Sequence, residues 1–536
     1  MVHVIILAAG SISGKLGFLR SRCPSPALIP INTRPLAAYV TEFYTAQRGL
    51  SVRLVVSADV ADAVLAELGV SEGRYALTPL SETSGVVDSL TQAIQDIPHD
   101  DDIIVNLVTT IPTRLVQDEE VLVASQSTRS SYWSGLNLDS EHPVFCFKSA
   151  PQPLPSHAFA GVFRCSRARL GDALESATNG NDLLAVVEQL QRRQPLRYTK
   201  CEWIDCGHET NYYEAKSRLI SSRSFNRVHV SLEDGVLRKC SQDAVKLKRE
   251  TDFTQMVPAS IEVYFPRILS RKEAASDVPA TVESEYYGYP TVAEYYLYWD
   301  LSPDNWRRMF SRFQGVLRRF KTFPYSIGQS AFRDFYLEKT VQRVESFLES
   351  LDPDLRRLLE GDITVNGRLC RPFAALASEL QSRLTSMYRD RDFCVMHGDF
   401  CFSNILYDMP SGIVRLIDPR GSFGEQCVGI YGDQKYDLAK LTHSAEYGYD
   451  FLVNGLYSVK QAGSTIDYSL ATRECGPLVG SLTRDLIAEL GYDHDEIKLL
   501  TSLLFLSMCP LHSEDSTRQL AMYVHGLLLF NTCLET

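Results

Sequence analysis

The chain has 536 residues, a formal net charge of −12 at neutral pH and a hydrophobic fraction of 45%. This length exceeds the size at which a single hydrophobic core stops growing, so two or three domains are expected. The acidic balance argues against nucleic-acid and anionic-membrane partners, because both bind to clustered lysine and arginine.

The cysteines and the N-terminus predict a cytoplasmic protein. Thirteen cysteines are scattered at irregular spacing, which fits reduced thiols better than a disulfide framework or a zinc site. The N-terminus lacks the basic segment of a targeting signal, and no apolar run reaches the roughly 18 residues of a membrane span.

The first part of the chain alternates short apolar runs with helical patterns. Residues 4–7, 52–56 and 103–107 are predicted strands, and residues 35–47 and 60–68 are predicted helices. The first strand ends in Ala8-Ala9-Gly10, a small-residue turn of the kind that presents backbone N–H groups to a phosphate. The alternation indicates an α/β domain with a doubly wound sheet.

Several motifs in this part resemble those of the sugar-phosphate nucleotidyltransferases. They are Leu7-Ala8-Ala9-Gly10, Gly14-Lys15-Leu16, the proline-containing run at 26–36, the loop and helix start at 84–90, and the closing strands at 159–163 and 203–207. The resemblance implies a nucleotide, CTP or UTP, bound at Leu7, Ala8, Ala9 and Gly10. It also implies that Asp205 is a metal ligand.

Departures from that family bear on the activity of this domain. The family's lysine that contacts the sugar phosphate is Ala27 here, Lys15 stands roughly where an arginine is usual, and residues 106–110 lack the family's metal-binding carboxylate. Transfer of a nucleotidyl group requires charge neutralisation at the phosphates. Two hypotheses therefore stay open: a working nucleotidyltransferase, or a domain that binds a nucleotide or docks the rest of the chain.

A short polar junction near residues 216–226 predicts two domains, 1–220 and 221–536, the second with lobes at about 221–300 and 301–536. Residues 228–232 and 235–239 form a hairpin pattern that ends at Lys239, and the helical stretch 243–255 contains Glu250. The aromatic-rich run 285–296 and the helical region 303–390 follow; aromatic residues and charged helix faces of this kind are more often core and solvated surface than binding sites.

The stretch 394–441 carries the strongest chemical signal. His397-Gly398-Asp399 is followed by Asn404 and then, after the apolar run 413–417, by Asp418. Phosphoryl transfer needs a carboxylate that orients the acceptor hydroxyl and takes its proton, together with oxygen ligands for Mg²⁺. Asp399 is the predicted base, and Asn404 and Asp418 are the predicted Mg²⁺ ligands.

This layout resembles the aminoglycoside phosphotransferase and choline kinase group of small-molecule kinases. The resemblance implies a protein-kinase-like α+β fold, ATP as the phosphoryl donor, Mg²⁺ as cofactor and a small hydroxylated acceptor. It makes Lys239 the residue that contacts the ATP α- and β-phosphates and Glu250 its partner, although Lys246, Lys248 and Arg249 compete nearby.

Three further features qualify this resemblance. No GxGxxG motif is present, so the resemblance assigns the phosphate cover to Ser222, Ser224 and Asn226. Gly398 stands where the catalytic loop of protein kinases has arginine, which argues against control by a phosphorylated activation loop. Asp433 and Asp437, at the start of a predicted helix, are interpreted as structural supports of the loop, because capping alone favours acidic residues there.

The sequence therefore predicts a cytoplasmic kinase fused to a nucleotidyltransferase-like domain, which activates a sugar, polyol or amino alcohol by phosphorylation, with a second step of nucleotidyl transfer left open. One alternative is a kinase with an inactive N-terminal domain. Another is a nucleotide-binding scaffold without activity, against which the intact Asp399, Asn404 and Asp418 count. The residues do not distinguish a sugar from choline, ethanolamine or an amino acid as acceptor.

Overall fold

The computed structural model describes residues 1–12, 16, 19, 23–68, 75–125, 133–139, 142–147, 155–177, 182–220, 226–274 and 279–534. Gly14, Lys15, Ser222 and Ser224, which the sequence singles out, lie outside these residues. The chain divides into two compact units. The first comprises Met1–Leu219 with Tyr298–Asp300, and the second comprises Ile220–Leu297 with Leu301–Thr536.

The first unit is built on a mixed sheet whose central strands are parallel. Strand Val2–Leu7 pairs in parallel with Asp102–Leu107 on one side and with Leu50–Ser57 on the other, and Ala76–Leu80 extends the sheet in parallel beyond Leu50–Ser57. On the opposite side His157–Ser166 pairs antiparallel with Asp102–Leu107. The remaining strands of this unit are Pro30–Ile31, Arg34–Pro35, Thr110–Pro112, Glu120–Ser125, Gly135–Asn137, Val144–Cys146, Arg197–Lys200 and Trp203–Asp205.

Alternate residues of the first strand enter different hydrophobic cores. Val4 and Ile6 pack into one core, while Ile5 and Leu7 pack into the other. Both faces of the strand are therefore covered, which explains why residues 4–7 are apolar without alternation. The predicted α/β doubly wound architecture is confirmed.

The helices of the first unit supply the two covering layers. Helix Leu36–Thr45 packs into the core that holds Val4, and helix Val86–Ala93 packs into the core that holds Leu7. The other helices are Ala61–Leu68, Arg167–Ser176, Leu183–Arg193 and Glu209–Arg218, with short 3₁₀ turns at Pro26–Leu28 and Ala58–Val60.

The second unit begins with an antiparallel sheet. Its strands lie in the order Asn226–Ser231, Val236–Ser241, Ala280–Glu285 and Ile268–Lys272. The first two are the predicted hairpin, and the predicted helix that follows them spans Ala244–Met256. Asp243 caps this helix, because its side chain accepts a hydrogen bond from the backbone N–H of Lys246 at 3.0 Å.

The rest of the second unit is mainly helical, as expected from its sequence period. Helix Pro303–Lys321 shows the pattern clearly: Ser302 caps it, Pro303 opens it, and buried residues from Trp306 to Phe320 recur at helical spacing along one face. The other helices are Val292–Tyr298, Gln329–Arg333, Lys339–Glu349, Pro353–Leu359, Phe373–Met387, Gln434–Ala445, Tyr449–Val453, Gly476–Glu489, His494–Met508 and Ser516–Leu534, with a π-helical turn at Asp334–Glu338 and 3₁₀ turns at Glu262–Tyr264, Asp390–Asp392, Phe402–Asn404 and Cys509–His512.

Short strands connect these helices. They are Ile363–Val365, Arg368–Cys370, Phe393–Val395, Ile405–Asp408, Ile413–Leu416, Ser422–Phe423, Cys427–Val428, Tyr431–Asp433, Tyr457–Ala462 and Thr465–Leu470. Across the part of the chain that the structure describes, no helix combines the length and the apolar character needed to cross a bilayer.

Candidate active site

The predicted catalytic loop lies between two small antiparallel strand pairs. Strand Phe393–Val395 pairs with Tyr431–Asp433 before the loop, and strand Ile405–Asp408 pairs with Ile413–Leu416 after it. The backbone N–H of Ile417 donates to the carbonyl of Asn404 at 3.0 Å. This contact holds the end of the second hairpin, and Asp418 that follows it, against the loop.

Asp399 and Asn404 are joined directly. The side-chain amide of Asn404 donates to the Asp399 carbonyl at 3.1 Å and to Asp399 Oδ2 at 2.8 Å. The five-residue spacing thus returns the chain to the carboxylate, as the sequence pattern predicts. Because the side-chain nitrogen of Asn404 faces Asp399, the side-chain oxygen of Asn404 is the atom available to a cation.

Lys239, Glu250 and Asp418 form a chain of charges. The Lys239 ammonium donates to Glu250 Oε2 at 2.7 Å and to Asp418 Oδ1 at 2.9 Å. Strand Val236–Ser241 supplies the lysine, helix Ala244–Met256 supplies the glutamate, and the segment after strand Ile413–Leu416 supplies the aspartate. The structure therefore brings together three residues that the sequence assigned to separate elements.

The pKa values of this group follow from burial and charge together. Burial and the neighbouring Asp418 raise the pKa of Glu250, against the opposite effect of Lys239. Burial would also raise the pKa of Asp418, but the Lys239 ammonium outweighs it and the pKa stays below its ordinary value. Asp418 is therefore ionised, the state that a cation requires.

Asp399 has a second partner in Lys440, which lies on helix Gln434–Ala445. The Lys440 Nζ lies 3.0 Å from Asp399 Oδ1. Burial alone would raise the pKa of Asp399, but the Lys440 ammonium holds it well below its usual range. The carboxylate is thus ionised and held at one oxygen by the Asn404 amide and at the other by the lysine.

Two buried aspartates fix the backbone of the loop and of the helix Gln434–Ala445. Asp437 accepts hydrogen bonds from the backbone N–H of His397 at 2.8 Å and of Gly398 at 2.7 Å. Asp433 caps helix Gln434–Ala445 by accepting from the N–H of Lys435 at 3.0 Å, and it also accepts from the Tyr336 hydroxyl at 3.1 Å. Asp437 thus holds the loop as predicted, whereas the side chain of Asp433 holds the start of the helix.

Gly398 is required by its backbone and by its neighbour. Its φ of +79° lies in the left-handed region, and a Cβ added there would come within 2.5 Å of the Arg420 Cβ. The arginine that protein kinases have at this position would therefore collide with Arg420. The sequence identified the substitution, and the structure supplies its steric reason.

The donor set fits magnesium. Mg²⁺ takes oxygen ligands and is commonly held by one or two protein carboxylates together with substrate phosphates. Asp418 and Asn404 offer one carboxylate and one amide oxygen. Among the described residues, no three histidine, cysteine, aspartate or glutamate side chains group into an all-protein metal site, so phosphate oxygens and water would have to complete the coordination.

Two of the four residues predicted to bind a nucleotide in the first unit, Leu7 and Ala8, are buried and have backbone groups that are hydrogen-bonded to neighbouring segments of the chain. Leu7 and Ala8 are buried, the N–H of Ala8 donates to the carbonyl of Val55 at 2.8 Å, and the carbonyl of Leu7 accepts from the N–H of Val108 at 3.0 Å. Ala9 is half-buried and Gly10 is exposed, with open space where a Cβ would lie. Ala27 is fully buried.

Asp205 lies opposite the segment in which the expected carboxylate is missing. Strand Trp203–Asp205 pairs antiparallel with Thr110–Pro112, with Asp205 facing Thr110 in the register. The Asp205 carboxylate accepts from the Asn211 amide at 2.7 Å and from the N–H of Gly207 at 3.1 Å, and lies 2.7 Å from His208 Nδ1. Its oxygens are thus already engaged by this local network.

The arrangement in the second unit has a counterpart among known families. Residues 217–444 match the model of the phosphotransferase enzyme family, APH. The matched range contains Lys239, Glu250, Asp399, Asn404 and Asp418. The matched range therefore includes every residue that the sequence assigned to the kinase site, and it also includes Lys440.

Three solved structures are among those similar to this chain. One is a putative glucose-1-phosphate thymidylyltransferase from Bacillus anthracis in complex with a sucrose, at 16% identity, 41% of this chain, 97% of that chain and a TM-score of 0.33. A UDP-glucose pyrophosphorylase complexed with UDP-glucose has 13% identity over 40% of this chain and 97% of that one, with a TM-score of 0.31. An inositol-1-phosphate CTP transferase from T. maritima has 16% identity over 40% and 95%, with a TM-score of 0.30. No curated protein matched the sequence.

Sequence reasoning missed Lys440 as a member of the site. A signal was available: Lys440 follows Asp437 by three residues on one helix, so both side chains project from the same face. Asp437 accepts a hydrogen bond from the backbone of the loop, and Lys440 pairs with the Asp399 carboxylate on that loop.

Proposed function

We propose that the second unit is an ATP- and Mg²⁺-dependent kinase that phosphorylates a hydroxyl group of a small molecule. The observation that carries this proposal is the placement of Asp399. Its carboxylate is ionised, is held by Asn404 at 2.8 Å and by Lys440 at 3.0 Å, and sits on a loop fastened to the segment that bears Asp418.

The roles of the chain's own residues follow from this geometry. Asp399 would accept a hydrogen bond from the acceptor hydroxyl and orient its oxygen, and it would take the proton as that oxygen bonds to the transferred phosphoryl group. The paired contacts from Asn404 and Lys440 fix the carboxylate before the acceptor arrives, which lowers the cost of orientation.

Lys239 would bind the donor phosphates, with Glu250 holding its side chain on the other side. Asp418 and Asn404 would hold Mg²⁺, which when bound neutralises charge on the phosphates. In the structure Lys239 itself neutralises Asp418. A bound nucleotide would therefore compete with Asp418 for the lysine, and the Asp418 carboxylate would then be available to hold the cation.

For the first unit we propose nucleotide binding without nucleotidyl transfer. Two observations favour this over transfer: the Asp205 carboxylate is engaged by His208, Gly207 and Asn211, and the facing residue in the register is Thr110 rather than an acid. The turn at the half-buried Ala9 and the exposed Gly10 would be the contact for the nucleotide.

The deciding experiment is a phosphate-transfer screen of the full chain with ATP and Mg²⁺ against pooled sugars, polyols, amino alcohols and amino acids, read by mass spectrometry. Asp399→Asn should lower turnover about 10²–10⁴-fold, the usual contribution of a positioned base. Asp354→Asn is the matched control, because the Asp354 side chain is 93% exposed. Wild-type-like turnover in Asp399→Asn would refute the assignment.

A second arm tests the first unit. CTP and UTP are added to the phosphorylated product, and the formation of a nucleotide conjugate is followed together with equilibrium binding of both nucleotides. We expect binding without a conjugate. A conjugate whose formation depends on Asp205 would instead establish the bifunctional enzyme, and absence of both would leave the first unit without a nucleotide role.

A further inference from the structure

Two cations in the second unit share the same pair of aromatic rings. The Lys339 Nζ lies 3.5 Å from the ring centroid of Phe335 and 5.3 Å from that of Tyr436. The Arg420 guanidinium carbon lies 5.1 Å and 5.8 Å from the same two centroids. Chain segments 81 residues apart thus place two positive charges beside one another.

Neither cation has an acidic partner in the part of the chain that the structure describes. Arg420 Nη1 donates to the Tyr436 hydroxyl at 3.4 Å, and Arg420 Nε is buried without a hydrogen-bond partner there. No ion pair among the described residues involves Lys339. The exposed Glu425, which lies within electrostatic range of Arg420, is bound at both oxygens by Arg249.

Like charges crowd this place further. Burial lowers the pKa of Lys339 well below its ordinary value, and repulsion by Arg420, Arg343 and Lys440 lowers it more. Lys440 is paired with Asp399, whereas Lys339 and Arg420 have no acidic partner among the described residues. Two such cations side by side in a partly buried place are costly unless an anion joins them. Lys339, Arg343, Arg420 and Lys440 are called the basic cluster below.

The basic cluster adjoins the predicted catalytic loop. Lys440 pairs with Asp399, and the backbone N–H of Arg420 donates to the carbonyl of His397 at 2.8 Å. Lys339 directly follows the π-helical turn Asp334–Glu338, an irregularity that is frequent at functional sites. Lys239, by contrast, has Glu250 and Asp418 as partners. The basic cluster therefore contacts Asp399, the carboxylate that would orient the acceptor. Lys239 instead contacts Asp418, the proposed metal ligand.

We propose that the acceptor of this kinase is an anionic alcohol, a molecule that carries a phosphate or carboxylate group besides the hydroxyl that is phosphorylated. Arg420 and Lys339 bind the anionic group, and Lys440 and Asp399 face the hydroxyl. Guanidinium and ammonium groups are the usual protein partners of both anions. This inference rests on the proposed function and narrows it to acidic or phosphorylated sugars and polyols, since a purely cationic amino alcohol would be repelled.

The first test measures binding without turnover. The full chain is saturated with Mg²⁺ and a non-hydrolysable ATP analogue, so that the donor site is filled, and inorganic phosphate is titrated by calorimetry. Arg420→Gln and Lys339→Gln should each weaken phosphate binding by about 10- to 100-fold, the value of a hydrogen bond to a charged group. Arg357→Gln, which removes the same charge from a side chain that is 78% exposed, should bind phosphate like the wild type.

The second test measures acceptor choice in matched sets: glucose, gluconate and glucose 6-phosphate, and glycerol, glycerate and glycerol 3-phosphate. We expect transfer only to the anionic members, with Arg420→Gln raising the acceptor KM more than it lowers kcat. Transfer to the acids or to the phosphates alone would tell which anion the cluster takes.

Other outcomes would overturn the inference. Phosphate binding that is absent, or equal in all variants, means that the cluster is not an anion site. Equal transfer to neutral and anionic members means that it does not select the acceptor, although the kinase assignment would stand. If no arm consumes ATP, the proposed function fails, and the calorimetric comparison alone then decides whether the cluster binds an anion.

Discussion

Lys440 and Asp399 form an ion pair at the base of the proposed acceptor site, with Nζ 3.0 Å from Oδ1. The lysine side chain is only 10% exposed, whereas the aspartate side chain is 33% exposed. One partner is thus fixed within the fold while the other faces solvent. This is the arrangement expected of a carboxylate that must stay ionised and immobile until a substrate reaches it.

Lys440→Met should therefore reduce both stability and turnover. Removal of the ammonium leaves Asp399 without its charge partner, which we expect to cost about 3 kcal/mol of unfolding free energy, at the low end for a broken buried pair because Asp399 is partly exposed. Urea unfolding and phosphate-transfer rates measure the two effects. In the double variant with Asp399→Asn the losses should be less than additive; additive losses would show that the two residues do not interact.

Lys239→Met should weaken the use of ATP far more than Lys248→Met. Both changes remove a lysine of the second unit, but Lys239 contacts Glu250 and Asp418, while Lys248 pairs with Asp252 on the helix surface and is 57% exposed. We expect kcat/KM for ATP to fall about 10- to 100-fold for Lys239→Met, with little change for the control. Equal effects of the two variants in steady-state kinetics would contradict the assignment of Lys239.

Gly398→Ala and Gly235→Ala separate backbone strain from collision. Both glycines have positive φ, +79° and +65°, but an added Cβ would collide only at Gly398, where the Arg420 Cβ lies at 2.5 Å. Gly235→Ala should cost about 1–2 kcal/mol from the left-handed conformation alone. Gly398→Ala should cost more and should also lower turnover, because Arg420 must move. Equal changes in unfolding free energy would show that the loop absorbs the added methyl group.

Asp450 should make the second unit less stable as the pH rises. Burial raises the pKa of Asp450 to about 7, against about 3.9 in the unfolded chain. Between those values the folded protein holds a proton that the unfolded chain has lost, so the unfolding free energy falls with increasing pH, by at most about 1.4 kcal/mol per pH unit.

Asp450→Asn removes this titration and should flatten the dependence. Relative to wild type it should be more stable at pH 8 than at pH 5, as measured by urea unfolding across that range. The exposed Asp354→Asn serves as control and should leave the profile unchanged. An Asp450→Asn profile parallel to that of the wild type would mean that this carboxyl group is ionised in the folded protein throughout the range.

Much of the fold was predictable because its strands and helices follow from hydrophobic periodicity and turn residues within short segments. Strands Val2–Leu7, Leu50–Ser57 and Asp102–Leu107, helices Leu36–Thr45 and Ala61–Leu68, the hairpin that ends near Lys239 and the helix that contains Glu250 lie where the hydrophobic period and the turn residues indicate. Strand Ala76–Leu80 was not predicted. Asn404 returning to Asp399 was predictable too, since five residues of loop leave few other arrangements.

The contacts that give the site its character were harder to predict. His397 is fully buried, and burial lowers its pKa to about 4. The neighbouring residues in the sequence did not predict this burial. His208 and Asn211, which contact the Asp205 carboxylate, lie only three and six residues further along the chain. The sequence nevertheless led to the prediction that this carboxylate is a metal ligand.

The sequence by itself determined which chemical groups are present and which segments carry them: a carboxylate and an amide at loop spacing, a lysine on a strand, and an α/β domain in front. The tertiary structure alone decided that Lys440 pairs with Asp399, and that Lys339 and Arg420 meet over Phe335 and Tyr436. The physical reason is that pattern and propensity act over a few residues. The charge around a site is set by packing between segments that lie tens of residues apart.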